Sequence, residues 1–206
     1  MSRYTDAKCR VCRRHSSKLF LKGPRCYTDK CAMEKRPFPP GSQKGSRRRL
    51  SGYGLQLKEK QRVRFMYGIS ENQFKNYFEK ANRLPGVTGE NLLSLLERRL
   101  DNVVFRAGWA DSRADARQMV LHGHFLVNGR KVDIPSYLVD EGDVVEMSPR
   151  GKENKKIKEL MEEEKAPSPA WLGTGEDGKI TILRKPQRGD IDYSVEEQLI
   201  VEFYSK

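Results

Sequence analysis

All four cysteines of this 206-residue chain lie within its first 31 residues. Two residues separate Cys9 from Cys12, thirteen residues follow, and four residues then separate Cys26 from Cys31. Two thiolate pairs at such spacing can share one tetrahedral metal ion, so we expect a structural Zn²⁺ site at Cys9, Cys12, Cys26 and Cys31. Two disulfides, an iron–sulfur cluster on the same thiolates and four unligated thiols are the alternatives.

A metal ion would replace the hydrophobic core that this segment lacks, because it contains few apolar residues beyond Val11 and Leu19–Leu21. Four thiolates leave no open coordination position for water or substrate, so the predicted site holds shape and has no catalytic role. His15 follows Cys12 by three residues. With four cysteines present, we expect it to be a surface histidine and not a ligand.

Positive charge is concentrated at the start of the chain. The net charge is +12, and the first 50 residues carry 15 basic and 3 acidic side chains. Such a field attracts polyanions, with nucleic acid as the leading partner and an anionic membrane surface or simple solubility as alternatives. No apolar run approaches the roughly 20 residues of a membrane span, and no secretory signal is recognisable, so we expect a cytoplasmic protein.

The segment 36–49 is rich in proline, glycine and basic residues and has almost nothing to bury. We expect an extended arm that follows a phosphate backbone or lies in a groove, with bidentate phosphate contacts from Arg47, Arg48 and Arg49. A solvated linker is the alternative.

Hydrophobic periodicity predicts helices as far as residue 108. One spans residues 55–67, and another follows Ser70 with an apolar stripe at Phe74, Tyr77, Phe78 and Ala81. A long helix is predicted from about Glu90 to Gly108. We expect its charged residues to form a solvated, ion-paired face; these are Glu97, Arg98, Arg99, Asp101 and Arg106.

A short helix, a hairpin and further strands are predicted after residue 110. Ser112 and Asp115 form a capping box, and Asn128-Gly129 between short apolar and basic runs predicts a tight β-hairpin. Further elements are predicted at 144–147 (strand), 153–165 (helix with Ile157, Leu160 and Met161 inward) and 179–184 (strand). A terminal helix is predicted from a capping box at Ser194 and Glu197. Arg113, Arg117, Arg130 and Lys131 are expected to project together as a phosphate-binding surface beside the helix start.

The run Ser-Arg-x-x-Ala-Arg at 112–117 and Val-Asn-Gly-Arg-x-Val at 127–132 resemble the S-four RNA-binding module of ribosomal proteins. The segments 88–93, 99–104, 133–137 and 199–206 extend the resemblance to the bacterial S-four family over essentially the whole chain. The resemblance implies a primary rRNA-binding protein that nucleates assembly of the small subunit and influences decoding accuracy. It also implies contacts with neighbouring ribosomal proteins and, through Arg47, Arg48 and Arg49, with messenger RNA near its entrance.

The predicted fold class is α+β, with a zinc-stapled, mainly helical N-terminal part and a mixed helix and antiparallel-sheet RNA-binding module. The predicted domains are 1–50 (zinc module and basic arm), 51–94 joined by a terminal helix at 194–206, and 95–193 (S-four-type module). S-four modules also occur in pseudouridine synthases and tyrosyl-tRNA synthetases, and Arg99-Leu100-Asp101 resembles a synthase nucleophile motif. We expect Asp101 to be a surface carboxylate and the protein to be neither an enzyme nor a zinc-finger DNA-binding regulator, with no small-molecule substrate.

Overall fold

The structure is a computed structural model that describes residues 4–41, 50–162, 168–175 and 178–205. The chain divides into two compact units, Met1–Leu92 with Tyr193–Lys206, and Leu93–Asp192. In the part of the chain described, the first unit contains helices only and the second contains the strands. No helix among these residues has the length and apolar character needed to cross a membrane.

The described residues form ten α-helices and five strands. The helices are α1 (Lys8–His15), α2 (Ala32–Lys35), α3 (Gly52–Met66), α4 (Glu71–Arg83), α5 (Thr88–Glu97), α6 (Leu100–Arg106), α7 (Arg113–Leu121), α8 (Pro149–Lys152), α9 (Lys155–Glu162) and α10 (Glu197–Tyr204). The strands are β1 (Phe125–Val127), β2 (Arg130–Lys131), β3 (Val144–Met147), β4 (Leu172–Thr174) and β5 (Ile180–Ile182). Short 3-10 helices span Gly23–Tyr27 and Arg188–Asp190.

The apolar stripe of α4 is buried as predicted, and it includes Phe74, Tyr77, Phe78 and Ala81. The Ser70 hydroxyl caps this helix by accepting a hydrogen bond from the Gln73 amide at 3.3 Å. The predicted helix at 55–67 is also confirmed, although it begins earlier, where Ser51 accepts from the Gly54 amide.

The terminal helix α10 packs against α3 within the first unit. Gln56 donates to Glu202 at 2.8 Å, and the Tyr204 hydroxyl donates to Glu71 at 2.9 Å. The Tyr204 ring stacks on Phe78 with 4.7 Å between ring centroids. The chain end therefore completes this helical core.

The capping box predicted at Ser194 and Glu197 is wrong. Helix α10 begins after Glu196, whose side chain makes no capping hydrogen bond. The Ser194 hydroxyl instead accepts from Arg62 at 3.4 Å, and the Glu196 amide donates to Glu59 at 3.2 Å. Partners on α3 therefore replace the local cap.

The second unit is built on an antiparallel sheet with strand order β2-β1-β3-β5-β4. Strands β1, β2, β3 and β5 follow the sequence prediction, whereas β4, which contains Gly173, was not predicted. The core beneath the sheet includes Trp171 and Phe125, both fully buried, and Trp109 stacks on Phe125 at 5.5 Å.

The predicted continuous helix from Glu90 to Gly108 is wrong, because the backbone turns at Arg98 and Arg99 between α5 and α6. Arg99 is extended and pairs with Leu138 in an isolated β-bridge. The Leu100 amide then donates to the Tyr137 carbonyl at 2.8 Å. Hydrogen bonds to the 135–139 segment thus replace those of an uninterrupted helix. Hydrophobic periodicity does not reveal this exchange of hydrogen-bond partners.

Helix α9 is the last α-helix of the second unit among the described residues. Ile157 and Leu160 are buried as predicted, but Met161 is 47% exposed, so its predicted inward orientation is wrong. The end of the predicted helix, residues 163–165, lies outside the described residues.

Candidate nucleic-acid interface

The hairpin between β1 and β2 presents two basic side chains at the edge of the sheet. Asn128 and Gly129 have φ of 51° and 76°, as a two-residue turn with two left-handed positions requires. Arg130 and Lys131 follow this turn on β2, and both are exposed. The sequence prediction of the hairpin is confirmed, and its geometry leaves both cations available to an anionic partner.

The tip of the hairpin is tied to the start of β3 by the side chain of Asn128. Its amide nitrogen donates to Asp143 at 2.8 Å, and its oxygen accepts from the Val144 amide at 2.9 Å. Asn128 also tolerates the left-handed backbone that a β-branched residue would strain. This residue therefore holds the strand that carries Arg130 and Lys131.

Lys131 lies across Gly123, at the corner between α7 and β1. A Cβ atom on Gly123 would stand 2.2 Å from the Lys131 Cε atom, and Gly123 has a φ of 72°. The positive φ favours glycine here, and a Cβ atom would also push the exposed lysine side chain aside. The corner thus sets the path of the Lys131 side chain.

Two histidines flank this corner. His122 is exposed, whereas His124 is buried, and its carbonyl oxygen accepts from the Ser148 amide at 2.9 Å. Burial lowers the pKa of His124, with smaller contributions from Arg150 and His122. His124 is thus placed as a neutral structural side chain. Nearby, the exposed Arg150 adds a cation that the sequence analysis did not single out.

The two helical arginines are held differently from the predicted arrangement. Arg113 is buried, its Nε atom donates to the Asn102 side-chain oxygen at 2.7 Å, and its guanidinium lies over the Phe105 ring. Arg117 is half-buried and donates to Asp101 at 3.3 Å. The expectation that Arg113 projects into solvent is therefore wrong. Whether either side chain contacts RNA stays a prediction.

Carboxylates on both sides of the helix break form a buried charge network, not the predicted solvated face. Glu97, Arg98, Arg99 and Asp101 are all buried. Arg99 pairs with Asp101 through two hydrogen bonds of 3.0 and 2.6 Å. The expected surface position of Asp101 is wrong, because the carboxylate is enclosed between arginines and has no access to a substrate.

The four cysteines are free and line one small pocket, together with Leu21 and Met33. Burial raises the pKa of the Cys12 and Cys26 thiols, and the Lys22 amide donates to the Cys26 sulfur at 3.4 Å. Among residues 4–41, 50–162, 168–175 and 178–205, no three His, Cys, Asp or Glu side chains are arranged to hold a metal ion. Helix and loop therefore bring all four thiols to the lining of one pocket.

Two further predictions concern the N-terminal half. His15, expected on the surface, is buried, and its ring lies edge-on to Phe65 at 6.0 Å. Arg47, Arg48 and Arg49 of the predicted basic arm lie outside the described residues.

Comparison with known proteins identifies the family. Residues 3–97 match the model of the ribosomal protein S4/S9 N-terminal domain, and residues 98–145 match that of the S4 domain. The chain is 57% identical to the small ribosomal subunit protein uS4 of Halothermothrix orenii and 58% identical to that of Thermodesulfovibrio yellowstonii, in each case over the full length of both proteins. This chain belongs to the ribosomal protein uS4 family. The uS4 family is a family of structural ribosomal proteins and not of enzymes, as the sequence indicated.

The S4-domain match of this uS4 family member contains both the helix break and the hairpin. Sequence reasoning found the exposed cations of the hairpin but missed two contacts of this domain, one at the hairpin between Asn128 and Asp143 and one at the helix break between Glu97 and Arg106. Asp143 lies fifteen residues beyond Asn128, and Glu97 lies nine residues before Arg106. Local periodicity does not link the two residues of either pair. Only a known motif containing both residues at a fixed spacing could have indicated such contacts.

Proposed function

We propose that this protein is a structural component of the small ribosomal subunit and binds its rRNA. The observation that carries the proposal is full-length identity of 57% and 58% to relatives named small ribosomal subunit protein uS4. The exposed cations of the hairpin and the net charge of +12 are the physical features such a role needs.

The proposed RNA surface centres on the hairpin. Arg130 and Lys131 contact phosphate oxygens, since both are exposed and their strand is fixed by Asn128. Arg113 and Arg117 act at the edge of this surface, where their charges add to the local field and their hydrogen bonds hold α7. Arg47, Arg48 and Arg49 supply further phosphate contacts, and they would approach messenger RNA if the S-four resemblance extends to that segment.

The wider role follows from the same family resemblance. Binding rRNA early would let the protein nucleate assembly of the small-subunit body, and contact with neighbouring ribosomal proteins would let it influence decoding accuracy. These proposed roles are properties of the assembled ribosomal subunit and not of the isolated protein.

Affinity for RNA and DNA across a salt series tests the central proposal. The protein is titrated with the 5′ region of its own small-subunit rRNA and with a DNA duplex of equal length. We expect tight binding selective for the rRNA, with log Kd linear in log salt because phosphate contacts release counterions. Equal affinity for both would contradict the proposal, and preference for the DNA duplex would favour a DNA-binding regulator.

We further propose that Cys9, Cys12, Cys26 and Cys31 hold a structural Zn²⁺ ion. Support comes from the donor chemistry, four thiols, and from the single pocket that all four line. Their loop has few apolar residues to bury, so ligation would supply the missing stability. An iron–sulfur cluster on the same thiolates is the alternative.

Metal content and thermal unfolding test the zinc proposal. The purified protein should contain one zinc per chain, and chelation should lower the Tm. A Cys26→Ser variant should lose the metal and respond no further to chelator, whereas replacing a residue outside the pocket, as in Tyr27→Ser, should retain it. Zinc-free protein with an unchanged Tm on chelation would contradict the proposal, and iron with sulfide would indicate the cluster.

A further inference from the structure

A small pocket of the second unit lies between α9, the end of β3 and the residues that precede β5. Met147 and Ile157, which are both buried, form its apolar lining together with Met161. Its volume is about 200 Å³, below the roughly 300–1,000 Å³ of small-molecule sites. A pocket of this size suits an inserted side chain better than a cofactor.

Met161 is an apolar side chain of α9 that the fold leaves partly uncovered. It follows Ile157 by about one helical turn, yet Ile157 is fully buried and Met161 is 47% exposed. Met161 lies close to Gly178, since a Cβ atom on that glycine would stand 3.0 Å from the methionine Cε atom. Methionine side chains are flexible and adapt to inserted groups at protein-binding surfaces. An occupant that covers Met161 would therefore bury apolar surface that folding alone leaves in water.

Lysine side chains accompany this apolar lining. Lys152, Lys158 and Lys179 all line the pocket and are exposed. Lys179 forms an ion pair with Glu146 at 3.1 Å. Among the described residues, neither Lys152 nor Lys158 has an ion-pair partner. Two such cations beside apolar surface are complementary to carboxylates that flank an apolar side chain.

The chemistry of the lining favours a protein segment over a nucleic acid. Bases of unpaired RNA stack on aromatic rings or on arginine guanidinium planes. The described lining residues include neither group, and their apolar members are isoleucine and methionine. Residues 151–206 carry 10 basic and 12 acidic side chains, so the positive charge at the pocket is local. The long-range field that attracts a polyanion to the start of the chain is therefore missing from this part of the sequence.

We propose that this pocket binds an acidic segment of a partner protein, whose central aliphatic side chain inserts against Met147, Ile157 and Met161. Carboxylates on either side of that side chain pair with Lys152 and Lys158. The apolar contact supplies affinity, and the two exposed ion pairs supply selectivity for an acidic sequence. This site is independent of the proposed rRNA-binding function, because the hairpin cations are not among its lining residues.

Methyl NMR of the full chain, with ¹³C in the methionine methyl groups, tests this site. The chain has six methionines, of which Met147 and Met161 line the pocket. The probe is a synthetic pentapeptide with blocked ends, in which a central leucine has two aspartates on each side. One comparison peptide has asparagine in place of every aspartate, and the other has glycine in place of the leucine.

We expect the acidic leucine peptide to shift the methyl signals of Met147 and Met161 and to leave those of the other methionines in place. Each comparison peptide should bind about fivefold more weakly, because it lacks either the carboxylates or the inserted side chain. Added salt should weaken binding of the acidic leucine peptide, since its ion pairs with the lysines are exposed.

Variants of exposed residues separate the contribution of the lysines from that of general charge. Lys152→Gln with Lys158→Gln should weaken binding of the acidic leucine peptide about fivefold, as two exposed ion pairs are lost. The matched control is Lys155→Gln with Lys185→Gln, because both lysines are exposed in the same unit and do not line the pocket. The control should bind the peptide like the wild type, and the urea midpoint should be unchanged in both variants.

Several outcomes would overturn the inference. Equal binding of the asparagine peptide, wild-type affinity in the Lys152 and Lys158 variant, or peptide-induced shifts that spare Met147 and Met161 would each do so. Displacement of the peptide by a short oligoadenylate would assign the pocket to RNA. A Met161 signal that moves with protein concentration in the absence of peptide would assign it to a second copy of the chain. Selectivity for rRNA is measured separately, so failure of the proposed function would leave the peptide result unaffected.

Discussion

Glu97 and Arg106 form a buried, two-pronged ion pair within the second unit. Arg106 donates from Nε to one carboxylate oxygen at 2.9 Å and from Nη2 to the other at 3.1 Å. Asn102 donates to the same carboxylate at 2.8 Å and accepts from Arg113 at 2.7 Å. A single carboxylate thus connects the end of α5, helix α6 and the first turn of α7.

Replacing this carboxylate should destabilise the second unit. Glu97→Gln removes the charge that faces Arg106, and we expect a loss of about 3 kcal/mol in the free energy of unfolding, because the buried cation keeps only the exposed Asp192 as a carboxylate partner. Tryptophan fluorescence in urea measures it, since Trp109 and Trp171 both lie in this unit. Lys179→Gln, which breaks the more exposed pair with Glu146 in the same unit, should cost less than about 1 kcal/mol. Equal losses in both variants would contradict the role of Glu97.

Replacing the hairpin cations should affect RNA binding without affecting the fold. For Arg130→Gln with Lys131→Gln, we expect the salt slope of rRNA binding to fall by about 1.4 to 1.8, since each phosphate contact contributes about 0.7–0.9. The urea midpoint should stay at the wild-type value because both side chains are exposed. Arg113→Gln, in contrast, should lower the urea midpoint, because Arg113 is buried. If the hairpin variant kept the wild-type salt slope, Arg130 and Lys131 would not contact RNA phosphates.

Asn128 should be required for the rigidity of the hairpin. Asn128→Ala loses the bonds to Asp143 and Val144 and keeps an unfavourable positive φ, so we expect about 2 kcal/mol of destabilisation. Asn128→Gly loses the same bonds but accepts the backbone, and should cost less. Urea unfolding by tryptophan fluorescence compares them with Glu141→Ala at an exposed position. If Ala and Gly cost the same, the backbone conformation contributes nothing.

Stability should fall on the acid side partly through His15. Burial, with smaller contributions from nearby cations led by Lys58, lowers the pKa of His15 from 6.5 to about 4. The unfolded chain therefore takes up a proton below pH 6.5, whereas the folded chain does so only near pH 4. Stability is full above pH 6.5 and decreases as pH falls towards 4, by up to about 3 kcal/mol.

Calorimetric unfolding between pH 7 and 4 measures this dependence. The wild type and the variant have the same carboxylates, so a difference between their curves comes from residue 15. We expect His15→Gln to show a shallower fall in the free energy of unfolding than the wild type. His122→Gln, at an exposed position of the second unit, serves as the control and should follow the wild type. Parallel curves for His15→Gln and the wild type would show that this ring does not titrate in the expected range.

Elements with local causes could be predicted from the sequence. The stripe at Phe74, Tyr77, Phe78 and Ala81 recurs at helical spacing, and Asn128-Gly129 supplies the left-handed positions that a tight hairpin needs. The serine caps at Ser70 and Ser112 also act as local patterns indicate, each accepting from the amide three residues later. Each of these features depends on residues close together in the chain.

Elements with distant causes could not be predicted. Helical periodicity continues through Arg98 and Arg99, yet the backbone turns there because the 135–139 segment supplies hydrogen-bond partners. Arg113 carries a charge that favours the surface, yet it is buried because Asn102 and Phe105 receive its guanidinium. His15 looked like a surface histidine until the packing of α1 beside α3 enclosed it.

The sequence by itself determined the family, the excess of positive charge, the hairpin and the four-cysteine pattern, since composition and short motifs carry them. Only the tertiary structure decided which cations remain exposed and where the helix breaks. The physical reason is that a charged side chain can be buried or solvated at similar cost, depending on whether distant residues supply hydrogen bonds. Those partners become neighbours only when the chain has folded.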